Sequence, residues 1–144
     1  MAGNWELFSH DADMGIRGIG PTFENAFEQA GLALTGVLID PSQIEAKIPV
    51  NISCSDQKID TLFYDWINEL IYEMAHQHLI FGRFEVKISQ DRQGQINLQG
   101  KAWGETIDLN RHPLAVEIKG ATFTELKAEQ NENNEYVVQC IVDV

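Results

Sequence analysis

Ser9-His10-Asp11-Ala12-Asp13-Met14-Gly15 places one histidine and two carboxylates within four residues. Carboxylate oxygens on a loop are the usual ligands of hard divalent cations such as Ca2+ and Mg2+. Asp-x-Asp spacing suits an ordinary Asx turn at a strand end just as well, and that is the commoner outcome. Asp13 followed by Gly15 reads as a loop in which the backbone turns tightly. A second candidate is Cys140-Ile141-Val142-Asp143-Val144, an apolar stretch ending in a single acid. It sets the Asp143 carboxylate one residue from the last main-chain carboxylate. Two negative groups at a strand end repel unless something positive lies between them, either a cation or a lysine. A frayed, solvated end is the ordinary alternative, but the apolar residues before it argue for docking in a sheet.

The third candidate is Lys119, the one base in Val116-Glu117-Ile118-Lys119. On a strand it could simply face water. Glu105, Asp108, Arg111 and His112 lie nearby in a stretch that reads as a structured loop. That stretch holds no pairing of nucleophile and base. His76 and His78 end a predicted helix, where a histidine suits the dipole. Glycine-rich phosphate cradles are absent. Cys54 and Cys140 match no zinc or redox spacing, and they read as reduced thiols of a cytoplasmic protein.

Charge narrows the function classes. Ten Lys and Arg stand against twenty-two Asp and Glu, a net of −12 over 144 residues. A free-standing nucleic-acid binder needs clustered bases to displace counterions from phosphates. Here the bases are scattered from Arg17 to Lys127. The expectation is no direct nucleic-acid binding and no membrane association, with the acid favouring a metal cation or a basic protein partner. No apolar run is long enough to span a bilayer, and the opening residues do not read as a signal peptide.

The elements that must position these residues are legible from periodicity. Thr22 is a good N-cap, and Phe23, Phe27, Ala30, Leu34, Val37 and Leu38 follow as a helical stripe ending at Asp40-Pro41. A second helix begins near Asp56, with Ile59, Leu62, Phe63, Trp66, Ile67, Leu70, Ile71 and Met74 inward. Asp60, Asp65, Asn68, Glu69 and Glu73 form its solvated face. Ile48 to Cys54 alternate as a strand, and Pro49 points to an edge. Phe84 to Ile88 and Ile96 to Gly100 flank a turn at Asp91–Gly94. Short strands are expected at Trp5–Phe8, Arg17–Ile19, Val116–Ile118 and Leu126, with a final one at Tyr136–Val144. The fold class is therefore α+β, one or more mostly antiparallel sheets packed with two amphipathic helices, as one two-layer domain over residues 1–144.

Taken together, these segments resemble the archease family. His10-Asp11-Ala12-Asp13-Met14-Gly15-Ile16 is similar to the His-Thr-Ala-Asp-Val-Gly-Ile opening of that family. Thr22–Phe27 and Leu62–Tyr72 resemble its two helices. Arg111-His112-Pro113, Glu117–Phe123 and Val142-Asp143-Val144 resemble further segments in the same order. The resemblance implies a protein that is not an enzyme but a cofactor of an RtcB-type RNA ligase in tRNA splicing and RNA repair. It implies promotion of ligase guanylylation and of multiple turnover. It also implies a divalent cation held by Asp13, Asp143 and a main-chain oxygen of Val144, with Ca2+ expected first and Mg2+ or Mn2+ as alternatives. Lys119 matches a base needed for activation, and His10 matches a supporting position. Asp11 departs from the family's Thr and adds a negative charge beside Asp13. Two other classes stay open: a chaperone-like acidic module for an RNA-modifying enzyme, and a metal-dependent hydrolase with His10 as base.

Overall fold

The computed structural model describes residues 3–144. The chain opens with a hairpin, β1 (Asn4–His10) and β2 (Asp13–Gly20), and then enters α1 (Phe23–Leu38). Thr22 caps α1 as expected, its hydroxyl accepting the Asn25 amide at 3.1 Å. Strand β3 (Ile48–Asp56) leads into α2 (Ile59–Gln77). That helix begins three residues later than Asp56 and has Lys58 at its cap without a side-chain bond. The remainder is strand: β4 (Leu79–Gln90), β5 (Ile96–Thr106), β6 (Gly120–Ala121), β7 (Lys127–Gln130) and β8 (Tyr136–Asp143).

The strands form two antiparallel sheets. The first runs β1-β2-β8-β6, with β7 also paired to β8, and the second runs β3-β5-β4. Pro49 lies on β3, an edge of the second sheet, where its missing N–H breaks no ladder. Both helices touch both sheets. The two predicted helices are thus shared by two antiparallel sheets.

Close approach explains two glycines. A Cβ on Gly18 would overlap the backbone of Ala26 and Ala30, so α1 can lie directly on β2 only because that side chain is missing. A Cβ on Gly15 would sit inside the Phe8 ring. Gly15 is therefore not the turning residue that its sequence context suggests. It is an interior strand position opposite Phe8, and the turn is made by Asp11, whose φ is 53°.

One cluster of buried side chains joins the layers, with Phe27, Phe63, Trp66 and Phe81 all fully inaccessible. Two buried donors within it are satisfied across elements. Trp66 Nε1 donates to Phe27 O at 3.1 Å, and the Thr35 hydroxyl donates to Phe81 O at 2.7 Å. Unpaired, each would cost about 1–3 kcal/mol. The stretch predicted as a strand at Val116–Ile118 is irregular, and only Gly120 and Ala121 behind it pair with β8. Ile118 packs against the core cluster and Val116 stays exposed, an arrangement that alternation alone cannot distinguish from a ladder.

Candidate functional site

The register of the first sheet determines which side chains meet. His10 pairs with Asp13 across the opening hairpin, and Met14 pairs with Val142 across β2 and β8. Continuing that register by one residue sets Asp13 opposite Asp143, and cross-strand partners share a face. His10, Asp13 and Asp143 therefore form one row at the end of the sheet, on the face turned away from α1. The next rows on this face are Phe8–Gly15–Ile141 and Glu6–Arg17–Gln139. The register of the last row is confirmed by its side chains: Arg17 donates to Glu6 at 2.8 Å and to Gln139 at 2.9 Å.

Asp13 does not cap its own turn. Its Oδ1 accepts the amide of Val144 at 3.3 Å, across 131 residues of sequence. Lys119 joins the same tip through its backbone, whose amide donates to Asp143 O at 2.8 Å. Gly120 then pairs with Asp143. Three distant segments, at residues 10–13, 119–120 and 143–144, thus close on one corner. The Lys119 and Asp143 side chains are exposed, and Asp13 and Val144 are half-buried. His10 is also half-buried, with Nδ1 3.9 Å from an Oδ of Asp11, itself fully open to water.

The donor chemistry of this corner is hard oxygen. Two carboxylates point to one side, with main-chain carbonyls at the strand ends beside them. Among the described residues no group of three or more His, Cys, Asp and Glu side chains is gathered to hold a metal. A cation here would therefore take the rest of its shell from main-chain oxygen and water, as Ca2+ and Mg2+ readily do. Two carboxylates with main-chain oxygen suit such an ion, and the one nitrogen donor in the row is the His10 imidazole.

A second polar cluster, only glimpsed in the sequence as a structured loop, holds the segment leading to Lys119. Glu105, at the end of β5 and almost fully buried, makes a two-pronged pair with Arg111 and accepts the Glu45 amide at 2.7 Å. The Arg111 hydrogen bonds, opposed by burial and helped by the Glu45 amide, hold its carboxyl down at about 2. His112 is 1 % exposed. Its Nδ1 accepts the Asp108 amide at 2.9 Å. Its Nε2 lies 3.4 Å from Glu105, close enough for electrostatic attraction but not aligned as a hydrogen bond. Ala115 then donates to Leu38 O at 3.1 Å, tying the loop to the end of α1. These groups brace a loop and lie apart from the Asp13 corner. The sequence showed only a structured loop holding Glu105, Asp108, Arg111 and His112, because the Glu45 amide arrives from a remote segment.

The thiols are chemically quiet. Burial pushes both Cys54 and Cys140 up to about 12, with the charges of Asp65, Glu69 and Asp56 adding to the effect at Cys54. Neither is in a disulfide. Among the described residues no helix is long and apolar enough to cross a membrane.

Comparison with known proteins gives a consistent result. Residues 5–144 match the model of the Archease protein family (MTH1598/TM1083). Protein archease of Pyrococcus furiosus is 37 % identical over 140 residues, covering 97 % of this chain and 98 % of that one. The Sulfurisphaera tokodaii protein of the same name is 34 % identical over the same length and coverage. The solution structure of Methanobacterium thermoautotrophicum protein 1598 superposes with a TM-score of 0.79 at 28 % identity, covering 98 % of this chain and 99 % of that one.

Proposed function

The chain belongs to the archease family, and from that premise we propose that it is a non-catalytic protein cofactor of an RtcB-type RNA ligase. In this reading it speeds ligase guanylylation and supports repeated turnover in tRNA splicing and RNA repair. The observation that carries the reading is the meeting of Asp13, Asp143, Val144 and Lys119 at one exposed corner. A corner built from three remote segments, with two carboxylates and a lysine but no nucleophile and base, suits contact with another protein's active site better than chemistry of its own.

Asp13, Asp143 and a main-chain oxygen of Val144 would hold a divalent cation, Ca2+ first, with Mg2+ or Mn2+ as alternatives. The ion would neutralise the two carboxylates and add a positive charge for phosphate oxygens to approach. Asp13 also fixes the last residue through the Val144 amide, so it shapes the corner before any ion binds. Lys119 extends from a backbone pinned to Asp143, and its ammonium can reach a partner's nucleotide phosphates as a point charge. His10 and Asp11 sit at the outer edge of the same row in supporting positions. Phosphoryl transfer depends mainly on positioning and electrostatics, so a partner that orders a nucleotide pocket can raise its rate.

Ligase turnover with Asp13→Ala, Asp143→Ala or deletion of Val144 tests the reading. Multiple turnover should fall about tenfold or more in each, the loss of one well-placed electrostatic contact. Unchanged turnover in all three variants overturns it.

A further inference from the structure

For so acidic a chain, the side of α2 turned away from the core is rich in exposed aromatic surface. Phe123 is 64 % exposed, Tyr72 57 % and Val116 40 %. Phe123 lies nearly flat on Tyr64, with ring centroids 4.4 Å apart and planes 18° apart. Tyr72 stacks on His76 at 5.3 Å and 11°. Tyr64 and Tyr72 are eight residues apart on one helix, about 12 Å along a shared side. The irregular segment before β6 runs alongside them. Ala121 donates to Asn68 Oδ1 at 3.0 Å. Leu114, Val116 and Ile118 face Ile71 and Ala75 across an apolar groove of about 280 Å3.

Stacked rings have already given up much of their rotamer freedom. Exposed aromatics of this kind beside an apolar groove have the make-up of a binding hot spot. Charge selects the occupant. Glu69 and Glu73 lie on the same helix as Tyr72, and Glu117 lines the groove two residues before Lys119. A second copy would set acid against acid, each chain carrying a net of −12. A protein with an apolar socket rimmed by Lys and Arg meets no such repulsion.

We propose that this ridge, anchored by Phe123 and Tyr72, is the docking face for a protein partner whose socket is apolar and rimmed by bases. The proposal rests on the ligase-activating reading, because Lys119 lies within the segment that ends at Phe123 and its amide donates to Asp143 O on β8. A partner gripping the ridge therefore receives the carboxylate corner next to its grip. The ridge supplies affinity, and the corner supplies activation.

The test is a multiple-turnover ligation assay in which the full chain is titrated against the purified RNA ligase. For Phe123→Ala/Tyr72→Ala, the concentration giving half-maximal stimulation should rise at least about tenfold, while turnover at saturation stays within about twofold of wild type. Tyr72→Lys leaves the Phe123–Tyr64 stack in place and should weaken stimulation in the same way, because it sets a base against a basic rim. Asp13→Ala should show the opposite pattern, with saturation turnover lost and half-maximal concentration kept. Wild-type titration curves for both ridge variants overturn the ridge while leaving the functional reading intact. A wild-type dimer in sedimentation that the double variant dissolves overturns the choice of occupant. Absence of stimulation by the wild type removes the functional reading and the proposal with it.

Discussion

Asp65 leaves the exposed side of α2 and meets Asp56 at the end of β3. Burial pushes Asp65 up to about 6, aided by its hydrogen bond to Asp56 and by the charges of Asp56 and Glu69. Burial also opposes ionisation of Asp56, but bonds from Asp65, Thr61 and the Gln57 and Lys58 amides outweigh it and hold that carboxyl low. Below about pH 6 the proton of this pair therefore rests on Asp65, with Asp56 ionised beside it. This part of the helix surface is not simply solvated, as its polar sequence suggests. The folded state holds a proton on Asp65 up to about pH 6, whereas the unfolded chain releases it near the ordinary aspartate value of 3.8. Stability from this pair is present below that lower value and declines as pH rises through about 6. Asp65→Asn keeps a donor for Asp56 without the proton. It should raise Tm at pH 8 by about 3 °C, on the order of 1 kcal/mol after solvent screening, and give no gain at pH 4. Thermal melts at the two pH values check this, and an equal gain at both would rule out a proton resting on Asp65.

The elements differ in how plainly the sequence announced them. Both helices were legible because a cap or a stripe of large apolar residues repeats at helical spacing, as from Phe23 to Leu38. Pro49 marked an edge correctly because its missing N–H is a local fact. Val116–Ile118 misled, since alternating exposed and packed residues look like those of a strand even in an irregular segment. The split into two sheets was hidden because it depends on pairings such as β2 with β8, which join opposite ends of the chain. The Asp13 corner was half legible: Asp13 stood out in the His10–Asp11–Asp13 cluster and Asp143 as a lone acid after an apolar run, and the family resemblance joined them, but the register that puts them at one end of the sheet depends on the fold. Least visible was the brace on residues 107–119, where Glu105 holds Arg111 and the Glu45 amide at once. Because Arg111 and the amide depress Glu105 to about 2, its stabilisation is complete above about 4.5 and is lost as pH falls through about 2. Glu105→Gln should cost roughly 2 kcal/mol at pH 7, with the deficit narrowing below about pH 4.5. Urea unfolding across that pH range measures it, and a pH-independent deficit would mean that packing rather than charge is what was lost.

Across the whole molecule, the net charge of −12 first served to exclude a phosphate-binding surface. The fold divides that charge into parts with different work. Glu105 braces a loop, Asp65 pairs with Asp56, Asp13 holds the Val144 amide beside Asp143, and Glu69 and Glu73 lie on the same helix as Tyr72. A surplus this large also gives the molecule a long-range field that steers a basic partner toward it and repels its own copies. Such steering acts mainly on the association rate and is screened by salt, since the Debye length shrinks from about 10 Å at 0.1 M to about 3 Å at 1 M. Raising salt from 50 to 500 mM should therefore slow association of this chain with the proposed ligase partner by at least about tenfold. Dissociation, governed by the apolar ridge, should change by no more than about twofold. Stopped-flow binding separates the two rates. An association rate indifferent to salt would show that the acidic surface serves solubility alone, and that the ridge finds its partner without electrostatic guidance.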